Sequence, residues 1–193
     1  METITLKYGN TFTYFINGLL IDTDMAGTMT PFLRELKRNG ITTEDIRYVF
    51  ATHYHPDHSG LIGELTQNDA KLLLLEHQRE YVHSSDHIFA RIPNLRFVPA
   101  DESKATVVTP GESRDFLASL GISGEILPTK SHSPDGAALL LDDGNAFVGD
   151  VEPREYIGGY SDNPALQKDW ESLLSHGAKT IHYAHIPERS SEF

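Results

Sequence analysis

Thr52-His53-Tyr54-His55-Pro56-Asp57-His58-Ser59-Gly60 concentrates three imidazoles and a carboxylate within six positions of a 193-residue chain. Neutral imidazole and ionised carboxylate are donors that hold zinc, iron or manganese. A chain with ten His residues contains a His-x-His-x-Asp-His match by chance only about 0.002 times, so the motif requires a chemical explanation. His53 and His55, two apart on an extended backbone, project to one side and can share a metal. Pro56 ends the extended run and fits the first position of a helix expected through Ser59 to about Leu65, with Leu61, Ile62 and Leu65 facing the core. Asp57 and His58 then sit at a helix start, where the backbone dipole favours an ionised Asp and a neutral His. One loop can thus feed two adjacent cations.

Further ligands must come from elsewhere, and three candidates each follow an expected strand. Glu125 to Pro128 reads as a strand leading into a turn-rich loop that presents His132. Ala137 to Leu141 and Asn145 to Val148 flank Asp142-Asp143-Gly144 as a hairpin, after which Gly149 frees the backbone and Asp150 is placed as a bridging carboxylate. Lys179 to His182 reads as a strand running into Tyr183-Ala184-His185. His182 competes with His185, but a side chain inside a strand has less freedom to reach a metal than one in the loop beyond it. His77, His83, His87 and His176 are assigned solvated, capping or structural roles.

This order of residues resembles the metallo-β-lactamase superfamily, whose pattern is a His-x-His-x-Asp-His loop followed by a His, an Asp and a last His. The resemblance begins at Gly18-Leu19-Leu20-Ile21-Asp22-Thr23 and ends at His185. It implies that His53, His55 and His132 hold one metal, that Asp57, His58 and His185 hold a second, and that Asp150 bridges them. Three positions depart from the common pattern: Asp24 stands where Gly is usual, Ser131-His132-Ser133 replaces Gly-His-Thr, and Tyr183-Ala184 replaces Pro-Gly before the last His.

The elements that would carry these loops form an α+β pattern, and the fold implied is the αββα sandwich of two mixed sheets with helices outside. Strands are expected near Thr3 to Lys7, Phe12 to Ile16, Leu19 to Asp22, Arg47 to Ala51 and Lys71 to Leu75. Helices are expected at Pro31 to Arg38, Glu76 to Val82 and Pro164 to Ser175, the last with Leu166, Trp170, Leu173 and Leu174 at helical spacing. The stretch from Thr106 to Val148 reads as strand-rich. Length and a hydrophobic content of 39% fit one domain over residues 1–193.

A closed structural zinc site is disfavoured, because such sites are rich in Cys and this chain has none. The seven candidate ligands also exceed one tetrahedral shell. A net charge of −12 without a Lys/Arg run disfavours nucleic acid as a partner. No apolar run reaches membrane-spanning length, so the expectation is a cytoplasmic protein with a small-molecule substrate and no membrane partner. The resemblance implies hydrolysis of a small ester, lactone, thioester or related substrate by hydroxide held between two divalent ions, zinc first, with iron or manganese as alternatives. Asp57 would orient the nucleophile or carry its proton, and Tyr183 or Tyr156 would donate to the oxyanion. A mononuclear-iron oxygenase of the persulfide dioxygenase type is the alternative. Pocket walls are expected from Asp24 to Thr30, His83 to Ile92 and Val151 to Asn163.

Overall fold

The computed structural model describes residues 2–159 and 164–190. One sheet contains β1 (Ile4–Lys7), β2 (Phe12–Ile16), β3 (Leu19–Ile21), β4 (Tyr48–Phe50), β5 (Lys71–Leu75) and β6 (Thr106–Val108), in that spatial order. Its first three strands pair antiparallel, and the rest parallel. A second sheet has the order β11 (Arg189–Ser190), β10 (Thr180–Tyr183), β9 (Asn145–Gly149), β8 (Ala137–Leu141), β7 (Gly124–Pro128). Here only β9 and β10 are parallel.

The strand period of two explains the layering. In β5, Leu72 and Leu74 face an outer apolar layer while Leu73 and Leu75 face the layer between the sheets. In β8, Ala138 and Leu140 face the opposite outer layer while Ala137, Leu139 and Leu141 share the middle one. Strands covered on both faces must be apolar throughout, so β3, β5 and β8 read as continuous rather than alternating runs. Helix α1 (Met29–Arg38) closes the first outer layer through Phe32 and Leu36. The helix over the other sheet, Pro164–Ser175, contributes Leu166, Trp170 and Leu173, and the Trp170 indole donates to the Glu152 carbonyl at 2.9 Å. This is the αββα sandwich expected from the sequence.

Four local expectations need correction. The helix after Pro56 is not continuous: α2 (Pro56–Ser59) stops, and α3 (Ile62–Gln67) starts afresh. Thr23 causes the break, because its backbone N–H donates to the His58 carbonyl at 3.0 Å and its hydroxyl accepts from Leu61 N–H at 3.2 Å. Glu76 to Tyr81 forms a 3-10 turn instead of an α-helix, with Gln78 Oε1 accepting from Leu75 N–H. After a short helix α4 (Asp86–Phe89), the stretch read as strand-rich contains α5 (Pro110–Ser119). Its signal was legible: Thr109 and Glu112 form a capping box around Pro110 at the first helical position. The helix Pro164–Ser175 is α6. The expected strand limits at Lys179 and His182 each move by one residue, with a register shift between His182 and Tyr183.

Leu139 has no exposed surface in the middle layer. Leu139→Ala is expected to cost about 2–5 kcal/mol through lost burial and a residual cavity. Urea denaturation of the two proteins measures this; a loss below 1 kcal/mol, on the order of a surface substitution, would contradict the packing described.

Candidate metal centre

The ends of β3, β4, β7, β9 and β10 meet along one seam between the sheets. Ala137 N–H donates to Thr52 O at 2.8 Å, and Phe12 N–H donates to Ala184 O at 2.7 Å, so the sheets are stitched where the candidate ligands emerge. Gly149 is required at that seam. Its φ is +61°, and a Cβ there would lie 2.2 Å from Thr52 Oγ1. The bulge at His182 and Tyr183 turns the end of β10, and Ala184 N–H then bonds Gly149 O at 3.0 Å.

The structure brings together all seven residues singled out as ligands. His53 Nε2 lies 2.9 Å from His55 Nδ1, which lies 3.2 Å from His132 Nε2. His185 Nε2 lies 3.3 Å from an Asp57 oxygen, and these two form a second group with His58. Asp150 stands between the groups: Oδ2 is 3.4 Å from His58 Nε2, 3.7 Å from His132 Nε2 and 4.0 Å from His53 Nε2, while Oδ1 is 3.3 Å from His185 Nε2. In a tetrahedral shell with metal–nitrogen bonds of about 2.0–2.1 Å the edges are about 3.3 Å, so the first triad is already at ligand spacing.

A further observation tests the fit. His58 has no exposed surface and neither ring nitrogen makes a hydrogen bond of acceptable geometry among the described residues, although Asp22 approaches Nδ1 at 3.1 Å. A cation at Nε2 would satisfy that atom, and the Asp22 carboxylate behind Nδ1 would fix the ring. Asp22 is itself held by Thr52, whose backbone N–H and hydroxyl donate to it at 2.7 and 2.9 Å. The motif-based reading placed Asp22 only in a turn. Its orienting part was missed because His58 is 36 residues away in sequence.

His182 is turned away from the centre. Its Nε2 bonds Asn145 Oδ1 at 2.8 Å and its ring stacks on Phe147. His77 bonds Gly136 O, His83 bonds Asp86, and His176 bonds Ser172 O, so each has a local partner. Beside the centre is a cavity of about 200 Å³ lined by His132, Gly149–Pro153, Tyr183, His185 and Ile186. Of the expected walls only Val151 to Pro153 contribute; Asp24 to Thr30 and His83 to Ile92 do not line it. Tyr160 and residues 161–163 lie outside the described residues. Tyr183 belongs to the wall and packs in the outer apolar layer, and burial pushes its phenol up to about 12, so it stays protonated as a donor. Tyr156 is nearly half exposed on the turn Arg154–Gly159 and does not line the cavity.

The sequence matches the metallo-beta-lactamase superfamily over residues 7–185. The chain belongs to that superfamily. Solved structures agree at the level of fold. The protein TTHA1623, in a di-iron-bound form, is 22% identical, with 98% of this chain and 94% of that one covered at a TM-score of 0.71. A metallo-beta-lactamase family protein from Thermus thermophilus, TTHA1429, is 18% identical over 98% and 74% of the two chains, with a TM-score of 0.71. The metallo-beta-lactamase MIM-1 from Novosphingobium pentaromativorans is 19% identical over 94% and 76%, with a TM-score of 0.64. Superfamily membership and the His/Asp cluster together mark a metal-binding, hydrolase-type fold.

Without metal, protons and carboxylates balance one another across the centre. Burial and the neighbouring imidazoles His58 and His55 push His53 far down, and burial pushes His132 down, so both are neutral donors. For His58 burial acts downward, but Asp22 and Asp150 outweigh it and raise the group to about 10. Hydrogen bonds to Asp150 and Asp57 raise His185 to about 11. Burial acts upward on Asp150, but His185 and His58 hold its carboxyl well below the usual range. A cation entering the second triad must therefore displace the protons of His58 and His185. The metal-free chain binds more protons than the loaded one, so acidification competes with metal and affinity rises with pH until these groups deprotonate. Calorimetric zinc titration at pH 7.5 in buffers of different ionisation enthalpy is expected to show release of about two protons per chain from His58 and His185, with up to about one more from metal-held water. Zinc uptake with no proton release would sink this account.

Proposed function

We propose that this protein is a hydrolase with two divalent metal ions, zinc in the first instance, acting on a small ester, lactone, thioester or related substrate. The observation that carries the reading is the pair of triads, His53, His55, His132 and Asp57, His58, His185, with Asp150 facing both. Two such ions, when bound, acidify water between them towards neutral pH and polarise a carbonyl or phosphoryl oxygen. Asp57, half-buried and held in the ionised form by the His185 hydrogen bond, is the carboxylate that orients the nucleophilic water and takes its proton. Tyr183 supplies a protonated phenol on the cavity wall for the oxyanion.

The cavity supports a small substrate. Its volume of about 200 Å³ is below that of pockets for drug-sized ligands, and no Lys or Arg lines it among the described residues. Val151, Pro153 and Ile186 offer an apolar wall that suits the hydrocarbon part of a small ester or lactone. The acidic chain and the absence of a basic stripe argue in the same direction against nucleic acid as a partner. Among the described residues no helix is long and apolar enough to cross a membrane, and a cytoplasmic setting is proposed with the rest.

Iron is the second reading for the metal. Imidazole and carboxylate suit iron as well as zinc, and TTHA1623 is described in a di-iron-bound form. Elemental analysis of protein purified without added metal or chelator, followed by a screen of small neutral esters and lactones, tests both. Close to two zinc ions per chain with hydrolysis is the expected result; a single iron with oxygen uptake on persulfides would replace it with an oxygenase. His55→Ala is expected to lower metal content and hydrolysis together, activity by about 100-fold or more, since loss of mere supporting residues already costs 10–100-fold. Full activity after complete metal removal would end the proposal.

A further inference from the structure

Two buried carboxylates outside the ligand set each fasten the loops of one triad. Asp135 is 2% exposed. One of its oxygens accepts from the backbone N–H of Tyr54, between His53 and His55, at 2.6 Å, and the other accepts from the Ser133 hydroxyl, next to His132. One side chain thus joins the two loops that carry the whole first triad. The buried Gln78 backs this junction, with its amide donating to Ala51 O at 2.9 Å and Asp135 O at 3.1 Å. Gly136 makes the fit possible, because a Cβ there would meet Thr129 O at 1.9 Å.

Asp24 is also 2% exposed. It accepts three backbone N–H groups, from Asn10 at 2.6 Å, Thr11 at 3.3 Å and Met25 at 2.6 Å. The turn so fixed reaches the second triad at two points. Asn10 O lies 3.1 Å from His185 Nδ1, which leaves Nε2 of that ring to face Asp57 and Asp150, and the Thr11 hydroxyl donates to Asp57 O at 2.7 Å. Gly9 leaves the space that the Asp24 carboxylate fills.

We infer that Asp135 and Asp24 are positioning residues that set the affinities of the two metal positions separately, Asp135 for His53, His55 and His132, and Asp24 for Asp57, His58 and His185. The inference rests on the two-metal reading above. An amide is the informative substitution. Asn at 135 keeps an acceptor for Tyr54 N–H but loses the stronger hydrogen bonds of a charged group, whereas Asn at 24 brings an NH2 against backbone donors.

The test is zinc affinity by chelator competition, with zinc ion alone as the probe, in two backgrounds. His185→Ala leaves the first triad intact, and His55→Ala leaves the second. Asp135→Asn is expected to weaken zinc about 3- to 10-fold in the first background and by less than about twofold in the second, and Asp135→Ala by about 10- to 100-fold in the first alone. Asp24→Asn is expected to show the reverse pattern, about 10-fold or more in the second background only. Should either Asn variant fail to fold, Ser133→Ala and Thr11→Val remove a single contact each and are expected to show the same opposed selectivity at smaller size. Equal weakening of both triads, or no weakening of either, overturns the assignment while leaving the two-metal reading intact. Absence of zinc binding by the unsubstituted protein overturns both.

Discussion

The centre depends on a carboxylate placed among imidazoles that cannot all be neutral. Asp150 turns one oxygen towards His53, His58 and His132 and the other towards His185, and it is mostly withdrawn from water. Isolated, such a charge would be costly to bury. Protons on His58 and His185 offset it together with Asp22 and Asp57 in the metal-free chain, and cations would offset the carboxylates more strongly in the loaded one. The surrounding backbone holds these groups at contact distance in advance of any cation. The sheets are stitched beside them, Gly149 lets the chain just before Asp150 pass against Thr52, and the register shift in β10 precedes the turn to His185.

That constraint explains why polar residues are buried on this side of the molecule. Asp22, Asp24, Thr23, Thr52, Gln78 and Asp135 are all almost without exposure, yet each is bonded to backbone groups or to a side chain at the strand ends. A loop held by a buried carboxylate loses conformational freedom before a metal arrives, so less ordering is left for binding to oppose. The apolar layers cannot do this alone, since dispersion and burial are not directional, whereas an N–H aimed at a carboxylate fixes a backbone to within a few tenths of an ångström.

How much was legible in the sequence follows from which forces are local. His53, His55, Asp57 and His58 announce themselves because ligand spacing along a short loop is a local property. The apolar runs Leu72 to Leu75 and Ala137 to Leu141 announce doubly covered strands for the same reason. His132, Asp150 and His185 were readable only through their order after strands. Asp22, Asp135 and Gln78 were not readable as supports, because the contacts by which they tie the motif loop lie 26 to 81 residues away and no local pattern marks a side chain that meets a distant backbone group. The continuous helix expected after Pro56 failed for a related reason: a tertiary contact from Thr23 overrides the local propensity of Gly60 and Leu61.

Asp24 shows how a departure from a common pattern can be informative. The usual Gly at this turn position would leave the backbone N–H groups of Asn10 and Thr11 without their present acceptor, in a segment that packs close against His185 and Asp57. Here a carboxylate supplies that acceptor, and Gly9 supplies the room. The substitution therefore adds a negative charge near the second triad without adding a ligand. Such a charge favours a cation there through space as well as through geometry, and the two effects have different signatures: the through-space part weakens with salt, while the geometric part does not. Because Asp24 is buried and bonded to three N–H groups whose dipoles oppose its charge, the field it projects is small and the geometric part dominates.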